Sequence, residues 1–185
     1  MTTKVRRRLI LPRSKVPFRG QMPIFLGGPA LGGGDWRKKA ITFLSKKFKK
    51  ALFILPCHFS QVKRYQRLAV KGIDPPYSSN VEWKRHYMEI SAVAGCLVFW
   101  LGPEDKEETS ETPLEGPYAC EVYGEQAEWA FHLTQNKGLK VVFGIHHSFP
   151  GYKVIVENWK ELLGPDFPIH GRLQDVLEAT AKIAK

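Results

Sequence analysis

The sequence lacks several features that would assign it to a special class of protein. No run of about 18 uncharged apolar residues occurs, so we expect no membrane-spanning segment and no membrane partner. Three cysteines without a Cys-x-x-Cys pair predict neither a disulfide framework nor a zinc site. The opening has no apolar core of the kind that secretory signals carry. We therefore expect a cytoplasmic protein, with the mitochondrial matrix as the alternative because presequences are also basic.

Acidic residues are missing from the first twenty positions, whereas basic residues are abundant there. The chain has 28 Lys and Arg against 18 Asp and Glu, a difference of 28 − 18 = 10. Seven of the basic residues precede position 21, and seven more lie between Arg37 and Lys50. Such a surface attracts polyanions, so nucleic acid is a candidate partner of a basic N-terminal arm and a lysine-rich helix. The alternative is a solvated helix face and a solubility tail, since no recognised nucleic-acid motif accompanies the charge.

Short apolar runs alternate with amphipathic stretches along the remaining chain. Strands are predicted at 23–26, 52–55, 96–100 and 140–145, and helices at 36–51, 82–92, 124–135 and 173–183, with a short strand passing into a helix at 152–159. This alternation predicts an α/β layered domain with a mostly parallel sheet. We assign the domain to residues 23–185 and the basic arm to residues 1–22. Ligands of such sheets bind beyond the carboxyl ends of the strands.

A glycine-rich segment follows the first predicted strand and begins with Gly27, Gly28 and Pro29. Glycine has no Cβ and tolerates positive φ, so its backbone can approach a ligand closely. The segment is neither a Gly-x-Gly-x-x-Gly fingerprint nor a P-loop. A mobile surface loop is therefore the alternative interpretation.

The next predicted helix begins with residues that suit a ligand site. Asp35 stands in the N-cap position. Trp36 could stack on a base and Arg37 could hold an anion at the helix start. Trp36 also fits the apolar stripe of the helix, so core packing is its alternative role.

Two carboxylates, Glu125 and Glu128, lie three residues apart near the start of another predicted helix. They share one helix face, and the helix dipole helps keep a carboxylate ionised there. Such a group can act as nucleophile or base, and paired acids commonly cleave glycosidic bonds. The alternative is that both acids only stabilise the helix. His146 and His147 are adjacent at the end of a predicted strand, where neighbouring side chains should point to opposite faces, and no acid or Cys stands at ligand spacing beside them, so we expect no metal.

Four segments, taken in order, resemble the nucleoside 2-deoxyribosyltransferase-like family. They are 24–29 with the following Asp35-Trp36-Arg37, the strand 96–100 ending in Trp100, the helix 128–133, and 141–145 with 149–152. The likeness spans residues 23–159. It implies a small flavodoxin-like (Rossmann-like) three-layer domain that binds a nucleoside or nucleotide without a cofactor. Family members often complete the pocket with a neighbouring subunit, so a homo-oligomer is a candidate, although the sequence leaves the oligomeric state open.

The resemblance also assigns roles to particular residues. A family glutamate attacks the anomeric carbon of deoxyribose and forms a covalent glycosyl-enzyme, which a second base or water then resolves. Glu128 is the first candidate for this nucleophile and Glu125 the second. Tyr123 and Tyr118 are our own candidates for orienting the carboxylate, which the resemblance does not assign. The substrate-binding residues would be Gly27, Gly28, Pro29, Asp35, Trp36, Arg37, Trp100 and Tyr123.

One departure from the family lies ahead of the third strand. The family places an Asp there to orient or protonate the leaving base, whereas this chain has Ala94 and Gly95. Glu89 on the preceding helix is the candidate substitute. Two alternatives follow if no residue takes that role: a catalytically inactive protein that binds nucleotides or nucleic acid, or a structural component of a ribonucleoprotein anchored by the arm.

Overall fold

The computed structural model describes residues 8–18, 20–28, 35–56, 65–70, 77–103 and 140–184. Within these ranges the strands are β1 (Leu9–Ile10), β2 (Met22–Gly27), β3 (Ala51–Ile54), β4 (Cys96–Leu101), β5 (Val141–Ile145) and β6 (Ile169–His170). The helices are α1 (Trp36–Lys47), α2 (Asn80–Ala94), α3 (Tyr152–Leu163) and α4 (Leu173–Ile183), with a 3₁₀ turn at Gln66–Leu68. No described helix has the length and apolarity needed to cross a membrane.

The described strands form one sheet in the order β1-β3-β2-β4-β5-β6, and every neighbouring pair is parallel. Helices α2 and α3 pack on one face of the sheet, while α1 and α4 pack on the other. The predicted α/β fold is confirmed: this is a flavodoxin-like (Rossmann-like) three-layer domain. Both faces are covered, which explains why β4 is apolar and buried at all six positions.

Aromatic residues fill the core beneath α2 and α3. The Phe143 ring stacks on Phe99 with centroids 5.0 Å apart and planes 11° apart. The Trp159 ring of α3 lies 4.5 Å from Phe143, and Trp83 of α2 is fully buried in the same cluster. Large rings of this kind contribute much of the apolar area that stabilises a small domain.

The predicted arm over residues 1–22 must be corrected, because its described part belongs to the domain. Leu9 and Ile10 pair with β3 as an edge strand, and their exposures are 1% and 0%. The outer side of β1 is also occupied: the Arg8 amide donates to the Leu68 carbonyl, and the Val70 amide donates to the Leu9 carbonyl. A two-residue strand is too short to stand out from the basic residues around it, so the pattern gave no sign of β1.

The segment after β1 is held against α2 by side-chain hydrogen bonds. The Tyr87 hydroxyl donates to the Ser14 carbonyl at 2.8 Å and accepts from the Val16 amide at 2.9 Å. The Trp83 indole N–H also donates to the Ser14 carbonyl, at 3.2 Å. Burial raises the pKa of Tyr87 above its ordinary value, so the hydroxyl stays neutral. These bonds make the segment part of the packed structure.

Replacing Tyr87 by Phe should lower the free energy of unfolding by about 1–3 kcal/mol, because the Val16 amide loses its acceptor in a buried position. Urea unfolding of both proteins measures the difference. Tyr152→Phe is the matched control, since that hydroxyl has no described hydrogen bond, and it should change stability by less than about 0.5 kcal/mol. Equal losses in the two variants would contradict the proposed role of Tyr87.

Other boundaries differ from the prediction for identifiable reasons. Helix α1 ends at Lys47, because Ala51 already belongs to β3. Residues 152–163 are helical from their first residue, where a strand was expected, and Gly151 adopts a left-handed φ of 73° just before the helix. Strand β6 is only two residues long and was not predicted. The predicted helix 124–135 lies outside the described residues.

Candidate functional site

The order of the strands reverses beside β2. After β2 the chain forms β3 on one side, and it later forms β4 on the other side of β2. Helix α1 follows β2 and helix α2 leads into β4, so both helices begin at the carboxyl edge of the sheet. A crevice opens where neighbouring connections leave in opposite directions, and ligands of open α/β sheets bind there. The carboxyl ends of β2 and β4 therefore define the candidate site.

Arg37 is built into this edge of the sheet. Its side chain is 4% exposed and donates from Nη2 to the Gly28 carbonyl at 2.8 Å and from Nε to the Leu26 carbonyl at 3.4 Å. Its guanidinium carbon lies 4.8 Å from the centre of the Trp36 ring. Arg37 thus fastens the start of α1 to the end of β2 while it brings a positive charge to the crevice.

The start of α2 is fixed by a capping box. The Ser79 hydroxyl accepts from the Glu82 amide at 3.1 Å, and the Glu82 carboxylate accepts from the Ser78 amide at 2.7 Å and the Ser78 hydroxyl at 2.8 Å. The hydrogen bonds from Ser78 lower the pKa of Glu82 below its ordinary value. The Glu82 carboxylate is therefore held by these hydrogen bonds, which fix the first turn of α2.

Lys84, one turn into α2, is the site residue that the sequence interpretation missed. Burial lowers the pKa of Lys84 below its ordinary value, and the positive charge of Arg37 lowers it further. The two cations therefore interact at the carboxyl edge, one from α1 and one from α2. Among the described residues no carboxylate forms a salt bridge with Lys84. No local pattern marks this lysine, because its position depends on how α1 and α2 lie across the sheet.

The structure explains Gly27 and Gly28 by close packing against β4, whereas the sequence predicted a close approach to a ligand. A Cβ at Gly27 would overlap the Phe99 ring, and a Cβ at Gly28 would overlap the Trp100 carbonyl oxygen. Gly28 also has a φ of 135°, a conformation that side chains rarely allow. The close approach at these glycines is therefore to β4. Pro29, between this point and α1, lies outside the described residues.

The structure places in the core both Trp36, which was predicted to stack on a base, and Trp100, which was predicted to bind substrate. Trp36 is 2% exposed and Trp100 is 3% exposed, and both pack in the cluster beneath α1 and α4. Neither ring is open to a base in this arrangement. Asp35 occupies the predicted N-cap position without a side-chain cap bond, and its carboxylate lies 3.8 Å from the Lys38 ammonium.

Glu89 does not reach the crevice. It is exposed and lies ten residues into the fifteen-residue α2, in the half that ends at the amino edge of the sheet. Ala94 and Gly95 lie at that same edge, immediately before β4 begins. A carboxylate at position 95 could not be accommodated, since even a Cβ would overlap the Pro23 carbonyl oxygen. Glu89 thus lies away from the candidate crevice, and its role in place of the family Asp stays a prediction.

The turn after β5 adds polar groups to the carboxyl edge. The His146 amide donates to the Leu101 carbonyl at 2.8 Å, and His146 Nδ1 lies 2.7 Å from the Ser148 hydroxyl. The His146 and His147 rings are 4.2 Å apart, so the expectation of opposite faces is wrong. The two residues lie in a turn beyond the strand, where the alternation of side chains no longer holds. Within the described ranges no three metal-ligating side chains cluster together.

The remaining predicted site residues lie where the structure gives no description. Glu125, Glu128 and Tyr123 fall in the range 104–139, between β4 and β5. Cys96 lies at the opposite end of β4, where burial raises its pKa to about 12 and leaves the thiol unreactive.

These observations define a flavodoxin-like α/β domain with a basic crevice at the reversal of its strand order. No family model matches the chain, and no curated protein or solved structure matches it significantly. The likeness to nucleoside 2-deoxyribosyltransferase-like proteins rests on the sequence segments quoted above and stays a prediction.

Proposed function

We propose that the protein binds a nucleoside or nucleotide in the crevice between β2 and β4 and cleaves or transfers its N-glycosidic bond through a glutamate nucleophile. The observation that carries the proposal is that Arg37 and Lys84, each near the start of its helix at the reversal of the strand order, are close enough to interact electrostatically. A crevice at this point of an α/β sheet is the usual location of a ligand. Its positive charge favours a ligand that carries phosphate.

The positive charge of Lys84 is the electrostatic basis for preferring a phosphorylated substrate. Burial removes part of its hydration, and the neighbouring guanidinium repels it. A phosphate beside Lys84 would restore a favourable interaction to this lysine, because charge-assisted hydrogen bonds are stronger than neutral ones, and the nearby charge of Arg37 would add to the attraction. A nucleoside 5′-monophosphate therefore fits the described part of the crevice better than an uncharged nucleoside.

The proposed chemistry needs one carboxylate at the sugar. The carboxylate oxygen attacks the anomeric carbon, the bond from that carbon to the base nitrogen breaks, and the electron pair leaves with the base, which takes up a proton. A second base nitrogen, or water, then attacks the anomeric carbon and releases the carboxylate. Glu128 is the first candidate for the nucleophile and Glu125 the second, as the family resemblance implies.

The test follows base release from 2′-deoxynucleosides and their 5′-monophosphates by liquid chromatography, with and without a free acceptor base. For Lys84→Met we expect KM for the monophosphate to rise about tenfold or more, the loss of a charged hydrogen bond, with KM for the nucleoside nearly unchanged. Lys153→Met on α3 is the matched control and should behave as the wild type. Absence of base release from every substrate contradicts the enzymatic proposal, and equal effects on both substrates contradict the phosphate role.

A further inference from the structure

A second basic surface lies on the other side of α1, away from the crevice. A cavity of about 470 Å³ is bounded by β1, the second half of α1 and the 3₁₀ turn. Arg8 stands before β1, Lys46 lies in the last turn of α1 and Lys49 follows that helix, so the cavity lies toward the amino edge of the sheet. We call it the Arg8–Lys49 groove. It is separate from the candidate active site at the carboxyl edge.

The groove carries positive charge that the described residues do not neutralise. Lys46 and Lys49 are exposed and Arg8 is half-buried, and no described acid forms a salt bridge with any of them. In the sequence, Asp35 is the only acidic residue before Asp74, against 18 Lys and Arg. The helix dipole accounts for a lysine in the last turn of α1, but Arg8 and Lys49 lie outside that helix. The clustering therefore favours an anionic ligand.

We propose that the Arg8–Lys49 groove binds the sugar-phosphate backbone of a single-stranded nucleic acid. The three cations can pair with phosphates, and the Thr42 and Ser45 hydroxyls can donate to phosphate oxygens. Leu68, which is 36% exposed, provides an apolar surface for a sugar or base.

The shape of the groove favours a single-stranded nucleic acid over a membrane surface or a duplex. The volume is within the range of about 300–1,000 Å³ that is typical of ligand sites. Of the apolar side chains that line the groove only Leu68 is exposed, whereas a membrane-binding surface presents an extended apolar face. An unpaired strand has free bases that can lie on the apolar floor, whereas the bases of a duplex are stacked inside.

The experiment measures anisotropy of a fluorescein-labelled single-stranded oligonucleotide with the full chain, between about 50 and 200 mM salt. The double variant Lys46→Gln/Lys49→Gln should bind about tenfold or more weakly at low salt, and its slope of log K against log salt should fall by about 1.4, which is about 0.7 for each lost phosphate contact. The control Lys153→Gln/Lys160→Gln removes the same charge from the exposed face of α3 and should behave as the wild type.

A second pair of variants tests the groove without removing a lysine. Thr42→Glu places a negative charge beside the cations and should weaken binding about as much as the double variant, whereas Thr42→Gln should not. Equal losses in the groove and control double variants would overturn the proposal, because the effect would then be one of net charge alone. Groove-dependent binding of anionic vesicles or polyglutamate without binding of the oligonucleotide would also overturn it. Base release measures the crevice separately and should be unaffected in all groove variants.

Discussion

Replacing Glu128 by Gln should reduce base release on the order of 10³-fold or more, because an amide cannot act as the nucleophile that attacks the anomeric carbon. Gln keeps the size of the side chain, so the loss would reflect chemistry and not packing. Rapid quenching under single-turnover conditions measures the step directly. The wild type should also show a covalent glycosyl adduct by mass spectrometry, and Glu128→Gln should not.

Glu125 provides the internal comparison for this result. It lies three residues earlier on the same predicted helix face, so Glu125→Gln should have the larger effect if that residue is the nucleophile. Glu157→Gln on α3 is the control, since this exposed acid lies on a helix that is assigned no part in the chemistry. Unchanged rates in both candidate variants would remove the glutamate mechanism. The charge proposal for Lys84 would still be open to a direct nucleotide-binding measurement.

Replacing Gly95 by Ala should lower the free energy of unfolding by about 3 kcal/mol or more. The added methyl group would overlap the Pro23 carbonyl oxygen, a backbone atom of β2 that cannot turn aside as a side chain can. To remove this overlap, the start of β4 would have to move away from β2, where Ile24 is paired with Cys96. Sheet contacts at the centre of the domain would then be lost.

Gly171→Ala is the matched control for this prediction. Nothing lies within 4 Å of a Cβ at Gly171, and this residue does not have a positive φ. Its substitution should change stability by no more than about 0.5 kcal/mol. Chemical denaturation followed by circular dichroism compares the two variants with the wild type. A Gly95→Ala protein as stable as the wild type would show that β2 and β4 can separate without cost.

The central strands were predictable from sequence because burial on both faces produces an uninterrupted apolar run. Strands β4 and β5 have such runs, and their predicted positions agree with the structure to within a residue. Strands β1 and β6 have two residues each, which is too few for any periodicity. Their place depends on pairing with β3 and β5, and pairing is a property of the fold that no local pattern contains.

The sequence predicts where a site of this fold would lie, at the carboxyl ends of the strands, but it does not fix the role of each residue there. A glycine-rich stretch after a strand marks a close backbone approach, yet the pattern cannot say whether the partner is a ligand or, as at Gly28, another strand. Glu89 is close to the start of β4 in the sequence, but α2 runs antiparallel to β4 and carries this residue toward the amino edge of the sheet, away from the crevice. The position of Lys84 near Arg37 depends on how two helices from opposite layers of the domain lie at the carboxyl edge of the sheet. None of these relations is local in the chain.

The occupied outer side of β1 also limits how copies of this protein can associate. A bare edge strand is a template for strand addition and hence for aggregation, but the amide of Arg8 and the carbonyl of Leu9 are already bonded to the segment around Leu68. The opposite border, β6, has only two residues to offer an incoming strand. Within the described residues, self-assembly by continuing the sheet is therefore disfavoured. A symmetric dimer would be expected to use the helical layers.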